Sequence, residues 1–210
     1  MANHLPVVFT SRNGKSYIKS KPPKVRQTNN SILTAGLFGK ASSMASTLTA
    51  TFKPLMGYPY YRDMYSRLNS ALRQWMQTEN SYPQSPLENI IDITGFRFIK
   101  ETGIFNRFTV PIQVTYLPNG NVEVDIPAFI STEKIAAPPR CRSIELKLMA
   151  VSCSPFDKQI VDVASQNVTI ANNGLQHPPM HIVLPLQAGS NTLTLLAVAL
   201  KYDNRRGRYC

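Results

Sequence analysis

The amino-acid sequence predicts a mainly β protein with an N-terminal α-helical part. Apolar residues recur at every third or fourth position between residues 31 and 78, which is the helical period. From residue 96 onward they alternate with polar residues in short runs separated by turns, which is typical of antiparallel strands. We therefore expect a C-terminal antiparallel β-sandwich of the immunoglobulin or fibronectin type, preceded by a helical hairpin.

The same patterns divide the 210 residues into four segments. Residues 1–30 are predicted to be a basic arm with a β-hairpin, and residues 31–95 the helical hairpin followed by a turn-rich joint. Residues 96–204 then form the sandwich, and residues 205–210 a basic C-terminal tail. A chain of this length with 43% hydrophobic residues is able to bury its own core without disulfides.

The hairpin of the arm is predicted over residues 6–20. Residues with high β propensity flank Asn13-Gly14, the dipeptide that best tolerates the positive φ angles of a type I′ turn. The stretch from Arg12 to Lys15 also suggests a phosphate-binding loop, but the glycine and lysine spacing of the Walker motif is absent. A Lys-Pro-Pro-Lys sequence at 21–24 then interrupts regular structure.

Two helices are predicted next, over residues 31–56 and 60–78. Their apolar faces consist of Leu33, Leu37, Ala41, Met44, Leu48, Phe52 and Leu55 in the first, and Tyr61, Met64, Leu68, Leu72 and Trp75 in the second. The other face of the first helix is only weakly polar, so we expect it to pack against another helix or another subunit. Pro54 and the turn at 57–59 are expected to end this helix, and the short connection predicts an antiparallel pair. A capping-box pattern from Ser85 to Glu88 predicts one further short helix.

The C-terminal half is predicted to consist of strands joined by short turns. An alternating run from Phe108 to Tyr116, the turn Pro118-Asn119-Gly120 and a second run from Val122 to Ile126 form the clearest hairpin. Further strands are expected near 143–152, 158–164, 167–171, 180–186 and 192–202. The last of these is apolar on both faces, which favours a central position in its sheet.

Positive charge is concentrated at the N-terminal end of the chain. The net charge is +11, and residues 1–62 contain nine Lys and Arg residues without any Asp or Glu. Such a one-sided field attracts nucleic acid or an acidic partner surface. The residues predicted to make that contact are Arg12, Lys15, Lys19, Lys21, Lys24, Arg26, Arg205, Arg206 and Arg208.

No recognised catalytic or metal-binding motif occurs in the sequence. Cys141, Cys153 and Cys210 are too widely spaced for a zinc knuckle, although the arginines on either side of Cys141 favour a lowered thiol pKa. His177 and His181 are separated by two prolines that forbid a helix, and a shared metal ion is therefore not expected. We expect no cofactor, no metal ion and no enzymatic activity.

The chain resembles a family of uncharacterised Bacteroidota proteins in the order of its parts. The matching pieces are Arg12-Asn13-Gly14-Lys15-Ser16-Tyr17, Ser20-Lys21-Pro22, Phe38-Gly39-Lys40-Ala41-Ser42 and the strand from Ile144 to Ser152. This resemblance implies a fibronectin-like C-terminal half and transfers no catalytic residue. A basic arm on a β-sandwich is also similar to the plan of virus coat subunits, although the helical hairpin departs from that plan.

These observations favour a non-enzymatic structural or interaction protein that forms part of a larger assembly, such as a virion or phage-like particle. The residues predicted at its interface are Leu37, Phe38, Met44, Phe52, Tyr61 and Trp75. The alternative is a nucleic-acid-binding protein that uses the basic arm, and the third hypothesis is an enzyme of unrecognised type. The aromatic cluster at 58–75 is interpreted as core, with base stacking or a cation cage as the alternative.

The sequence contains neither a secretory signal pattern nor a long apolar run, and both observations bear on where the protein is expected to be located. The first residues lack the basic and then apolar pattern of a secretory signal, which predicts a protein that is intracellular when synthesised and that a virion could later contain. No run of about 18 apolar residues occurs, so no membrane span is expected.

Overall fold

The computed structural model describes residues 7–20, 27–56, 63–80, 95–98, 103–154, 159–187 and 192–203. It divides into two compact units, Met1–Gly36 and Leu37–Cys210. The fold is mainly β, with 42% strand and 32% helix among the described residues, and its longer helices lie in the N-terminal part. The coarse fold class predicted from the sequence is therefore confirmed.

The first unit contains the predicted hairpin. Strand β1 (Val7–Arg12) pairs antiparallel with β2 (Lys15–Ser20), and Arg12 lies opposite Lys15 at the turn. Asn13 and Gly14 both have positive φ angles, of 53° and 72°. This is the backbone conformation that a type I′ turn requires, so the hairpin and its turn are confirmed.

Helix α1 (Asn29–Met56) and helix α2 (Met64–Asn80) correspond to the two predicted helices. Helix α1 ends at Met56, the predicted position before Gly57, and Pro54 lies inside its last turn instead of ending it. The capping-box segment at 85–88 lies outside the described residues.

The two helices do not form a tight antiparallel hairpin. The Ser42 hydroxyl lies 2.6 Å from that of Tyr65, which belongs to the first turn of α2. Ser42 is fourteen residues before the end of α1 at Met56, or about 21 Å along the helix axis. In a tight hairpin the first turn of α2 would lie beside the last turn of α1, so this part of the prediction is wrong.

Two three-stranded antiparallel sheets form the rest of the second unit. One has the order β10–β6–β7, made of β6 (Ser143–Ser154), β7 (Gln159–Ala171) and β10 (Leu193–Asp203). The other has the order β3–β4–β9, made of β3 (Gln113–Tyr116), β4 (Val122–Ile126) and β9 (Met180–Leu184). A shorter pair joins β5 (Phe129–Ile130) to β8 (Gln176–His177), and helix α3 (Ser131–Lys134) follows β5 directly.

Strand β6 carries the core because both of its faces are buried. Met149, Val151 and Cys153 belong to a hydrophobic cluster shared with α1 and α2. The alternate residues Leu146 and Leu148 belong to a second cluster shared with β4 and β9. The sheet that contains β6 is therefore covered by helices on one face and by the other sheet on the opposite face.

Several predicted strands differ from those observed. The apolar strand β10 lies at an edge and β6 at the centre, so the predicted central position of the last strand is wrong. One face of β10 packs against the helical cluster and the other face against the second sheet. A strand that is apolar on both faces is therefore one whose two faces are covered, whether it lies at the centre or at the edge of its sheet. The two strands predicted over 158–171 are one strand, which pairs continuously with β6 apart from an irregularity at Ser152/Cys153.

The run from Phe108 to Tyr116 is a strand only over Gln113–Tyr116. A single 3-10 turn, Ile104–Asn106, precedes it, and Phe108 forms one isolated bridge with Ile135. The turn before β4 is confirmed, since Gly120 has a φ of 93° and donates its N–H to the Leu117 carbonyl. Helix α3 was not predicted, since four residues are too few to show a period.

Candidate interaction surfaces

The β1–β2 hairpin has two chemically different faces. Phe9 and Ile18 lie opposite each other across the strands and are 71% and 66% exposed. Because side chains alternate along a strand, Lys15, Tyr17 and Lys19 lie on the other face, and all three are exposed. One face is therefore apolar and the other basic.

An isolated two-stranded hairpin is at best marginally stable in water. The exposed side chains of Phe9 and Ile18 are apolar area that a partner can cover. A partner that contacts either face would stabilise the hairpin, since ordering it alone brings little burial.

The predicted cationic residues are only partly within the described chain. Lys15 and Lys19 share a strand face, and Arg12 is the last residue of β1. The remaining members of the set lie outside the described residues, namely Lys21, Lys24, Arg26, Arg205, Arg206 and Arg208. The contact of this set with nucleic acid or an acidic surface stays a prediction.

Helix α1 changes from exposed to buried along its length. Ile32, Leu33 and Phe38 are 53%, 66% and 49% exposed, whereas Ala41, Met44 and Leu48 are fully buried. Leu37, which lies among the exposed turns, is partly buried and packs against the hydrophobic cluster shared by α1, α2 and β6. The first three turns of α1 therefore present large apolar side chains that the described chain leaves uncovered.

The residues predicted at an assembly interface have different positions. Met44, Phe52 and Trp75 are buried within the chain's own hydrophobic cluster, so their side chains are not available to a neighbouring subunit. Tyr61 lies outside the described residues. Leu37 is partly buried and Phe38 exposed, which leaves these two within reach of a partner.

Arg67 anchors an irregular segment to the helical layer, which the sequence pattern did not reveal. Its guanidinium donates to the carbonyl oxygens of Arg97 and Phe98 at 2.6 and 2.9 Å. It also forms an ion pair with Asp63 at 3.0 Å and lies over the ring of Phe96. The Asp63–Arg67 spacing of four residues was the only available signal, and it indicates a helical ion pair rather than this anchoring role.

The thiols of Cys141 and Cys153 are structural groups. Burial raises the pKa of Cys141, and so the expected lowering by the neighbouring arginines is wrong. Burial raises the pKa of Cys153 to about 12. Both thiols donate to backbone carbonyls, of Ser143 and Leu193 respectively. A thiol held protonated in this way is a poor nucleophile.

The two histidines have separate partners. His181 Nδ1 lies 2.7 Å from Asp125 Oδ1 on the exposed face of the β4–β9 pair, and this carboxylate raises the pKa of His181. His177 stacks on Phe129 at 5.4 Å, and its Nε2 lies 2.9 Å from the Ala171 carbonyl. Over the part of the chain that the structure describes, no three His, Cys, Asp or Glu side chains lie close enough to hold a metal ion.

Comparisons with protein-family models, with curated proteins and with solved structures find no match for this chain. Among the described helices, none has the length and apolar character needed to cross a membrane. Any functional assignment therefore depends on the fold and on the surfaces described above.

Proposed function

We propose that this protein is a non-enzymatic structural subunit that associates with copies of itself within a larger assembly. The observation that carries the proposal is the exposure of Ile32, Leu33 and Phe38 on a helix whose later turns are buried. Large apolar side chains that stay exposed on an otherwise packed helix provide area that a protein partner can cover. The paired sheets form the body, for which we propose the immunoglobulin or fibronectin-like sandwich arrangement, and a virion or phage-like particle is one assembly that such a subunit would suit.

The exposed turns of α1 set a limit on the strength of that contact. Each of the three side chains is about half to two-thirds exposed, so full burial contributes roughly 1 to 2 kcal/mol per side chain. A two-fold contact gains at most about 6 to 12 kcal/mol from two sets, because the three side chains point in different directions around the helix, against an association cost of about 4 to 15 kcal/mol. The helix alone therefore supports weak association, and a stable assembly needs a second contact.

The test is the dependence of molecular mass on concentration, measured by sedimentation equilibrium. We expect the wild-type chain to exceed its monomer mass of 23.5 kDa as concentration rises. The variant Phe38→Ser is expected to shift this transition to higher concentration, because it removes apolar area from the contact. Phe105→Ser is the matched control, since Phe105 is also exposed, at 69%, but lies near the 3-10 turn.

A monodisperse monomer over the whole concentration range would refute the proposal. An equal effect of Phe38→Ser and Phe105→Ser would show that association depends on general surface hydrophobicity and would exclude a contact through α1.

Nucleic-acid binding is the second candidate function, and the basic face of the hairpin favours it. Lys15 and Lys19 flank Tyr17 on that face, and the first 62 residues contain no acidic side chain. Lysines neutralise phosphates, and a tyrosine between them offers a ring on which a base can stack. An acidic protein surface is the competing ligand for the same face.

Two double variants with equal loss of charge test this function. Lys15→Gln/Lys19→Gln removes the basic face, and Lys40→Gln/Lys53→Gln removes two exposed lysines of α1. We expect fluorescence anisotropy with a single-stranded oligonucleotide at low salt to show a loss of about tenfold or more for the first variant only. No binding at low salt, or equal losses in both variants, would exclude a specific role for the hairpin.

A further inference from the structure

The outer edge of β7, on the side away from β6, carries backbone groups whose directions follow from the register between the two strands. The N–H of Asn172 donates to the Arg142 carbonyl at 2.8 Å, across the register pair Ser143 and Ala171. In an antiparallel ladder, hydrogen-bonded pairs alternate with pairs that are not hydrogen bonded. Because Asn172 and Arg142 form a bonded pair, the next pair, Ala171 and Ser143, is not hydrogen bonded. The N–H and C=O groups of Ala171 therefore point away from β6.

The same direction holds for every second residue of β7 as far as Val163, because the register with β6 is regular over this stretch. Two further bonds agree with this assignment. The Ala171 carbonyl accepts from Ser131 Oγ at 3.0 Å, and the Val163 N–H donates to Asp162 Oδ1 at 2.8 Å. Neither Ser131 nor Asp162 belongs to β6, as expected for bonds made by groups that point away from that strand.

The edge is closed at both ends. At the C-terminal end, the Ala171 carbonyl has Ser131 Oγ and, at 2.9 Å, His177 Nε2 as partners. At the other end, one oxygen of Asp162 accepts from Val163 N–H and the second accepts from Gln187 N–H at 2.9 Å. Neither end is available to a further strand.

Between these ends lies an open window formed by Ser165, Asn167 and Thr169. All three residues are exposed, and within the described residues neither a strand nor a side chain pairs with their outward backbone groups. Natural edge strands are commonly protected by lysine, proline or a charged side chain. Strand β7 contains no Lys, Arg or Pro, and its one charge, Asp162, lies at the closed end.

We propose that a second copy of this chain pairs antiparallel with the window about a two-fold axis at Asn167, which joins the two three-stranded sheets into one of six strands. This inference rests on the proposed function and supplies the second contact that the exposed turns of α1 require. Asn167 then faces its own copy, and Ser165 faces Thr169 of the other copy. Each facing pair exchanges two N–H···O bonds.

The composition of β7 favours a second copy over an unrelated strand. The chain has a net charge of +11, yet residues 163–171 contain no charged side chain. Two identical edges therefore meet without like-charge repulsion between the side chains that face each other. Uncharged side chains of similar size at 165 and 169 also make the window self-complementary about Asn167.

The substitution Asn167→Pro tests the pairing because it removes one outward N–H from each copy. Proline is tolerated on an edge strand where its nitrogen faces away from the sheet. Two intermolecular hydrogen bonds are lost per dimer, which weakens association about 30-fold. Asn167→Ala retains the backbone N–H and is the matched control, so its dimerisation should remain close to that of the wild type.

A second variant and a second measurement guard against misfolding. Asn167→Lys keeps the backbone intact and places two lysines opposite each other, and it should also prevent pairing. Hydrogen exchange at the amides of Ser165, Asn167 and Thr169 should slow as wild-type concentration rises. The amides of Gln166 and Val168 already face β6 and should stay protected at every concentration.

The outcomes separate this inference from the proposed function. Association that survives both Asn167→Pro and Asn167→Lys but is weakened by Phe38→Ser overturns the edge pairing and leaves the subunit role intact. Exchange of the three window amides that does not depend on concentration also overturns the pairing. A wild-type chain that remains monomeric at all concentrations overturns both.

Discussion

Ser131 and Ser152 are both fully buried, but only one of their hydroxyl groups has a hydrogen-bond partner. Ser131 Oγ donates to the Ala171 carbonyl at 3.0 Å, and this bond closes one end of the β7 edge. Ser152 Oγ lies in the central strand β6 and has no hydrogen-bond partner among the described residues. Replacement of each serine by alanine removes the same oxygen atom from two equally buried positions, so the pair isolates the value of one hydrogen bond.

The two variants should change stability in opposite directions. Ser131→Ala loses one neutral hydrogen bond, and the Ala171 carbonyl retains His177 as a partner, so we expect a loss of about 1 kcal/mol. Burial of the Ser152 hydroxyl removes its hydrogen bonds to water and replaces them with none, which destabilises the wild type by roughly 1 to 3 kcal/mol. Ser152→Ala removes this hydroxyl. After allowance for the small void that replaces the oxygen, we expect a gain of about 1 kcal/mol.

Urea denaturation followed by far-UV circular dichroism measures this difference. The two variants should have the same m value as the wild type, and their free energies of unfolding should differ by about 2 kcal/mol. The reasoning is refuted if Ser152→Ala destabilises the protein as much as Ser131→Ala does. That result would show that the Ser152 hydroxyl is satisfied in solution.

Three further predictions concern single side chains. In an NMR titration His181 should have a pKa above the usual 6.5, and Asp125→Asn should return the pKa towards that value. The stability that this pair contributes is present below the pKa of histidine in the unfolded chain, and it is lost as pH rises through the pKa of His181 in the folded protein. Cys141 and Cys153 should react with an aromatic disulfide reagent far more slowly in native protein than in urea, and equal rates would contradict their raised pKa and burial. Arg67→Ala should lower the free energy of unfolding by about 2 kcal/mol, because it deletes two charge-assisted hydrogen bonds to backbone carbonyls; a change below about 0.5 kcal/mol would mean that the anchored segment is held by other contacts.

Local patterns predicted individual elements well because the information lies within a few residues. Asn13-Gly14 specifies its turn through the φ angles that these two residues tolerate, and the hairpin follows. The run from Val122 to Ile126 alternates because one side of β4 faces the core and the other faces water. The helical period of the residues from Ala41 onward likewise reflects the face of α1 that packs against the core.

Arrangements that depend on distant residues could not be predicted in this way. The contact between Ser42 and Tyr65 sets how α2 lies beside α1, and no feature of the connecting sequence indicates it. The edge position of β10 follows from the pairing of β6 with β7, which lies elsewhere in the chain. For the same reason, some of the predicted interface residues are buried and others are exposed. Periodicity identifies an apolar face, but it does not show whether the same chain covers that face, as for Met44, or leaves it exposed, as for Phe38.

Local sequence patterns and composition were sufficient to predict the mainly β class, the positions of most helices and strands, and the concentration of positive charge in the first 62 residues. These properties depend on side-chain period, backbone preference and composition, which are local or additive. The tertiary structure decided which strand is central, which apolar side chains of α1 remain exposed and which backbone groups of β7 lack a partner. Those properties depend on burial and hydrogen bonding between residues far apart in sequence, and such interactions are settled only when the chain has folded.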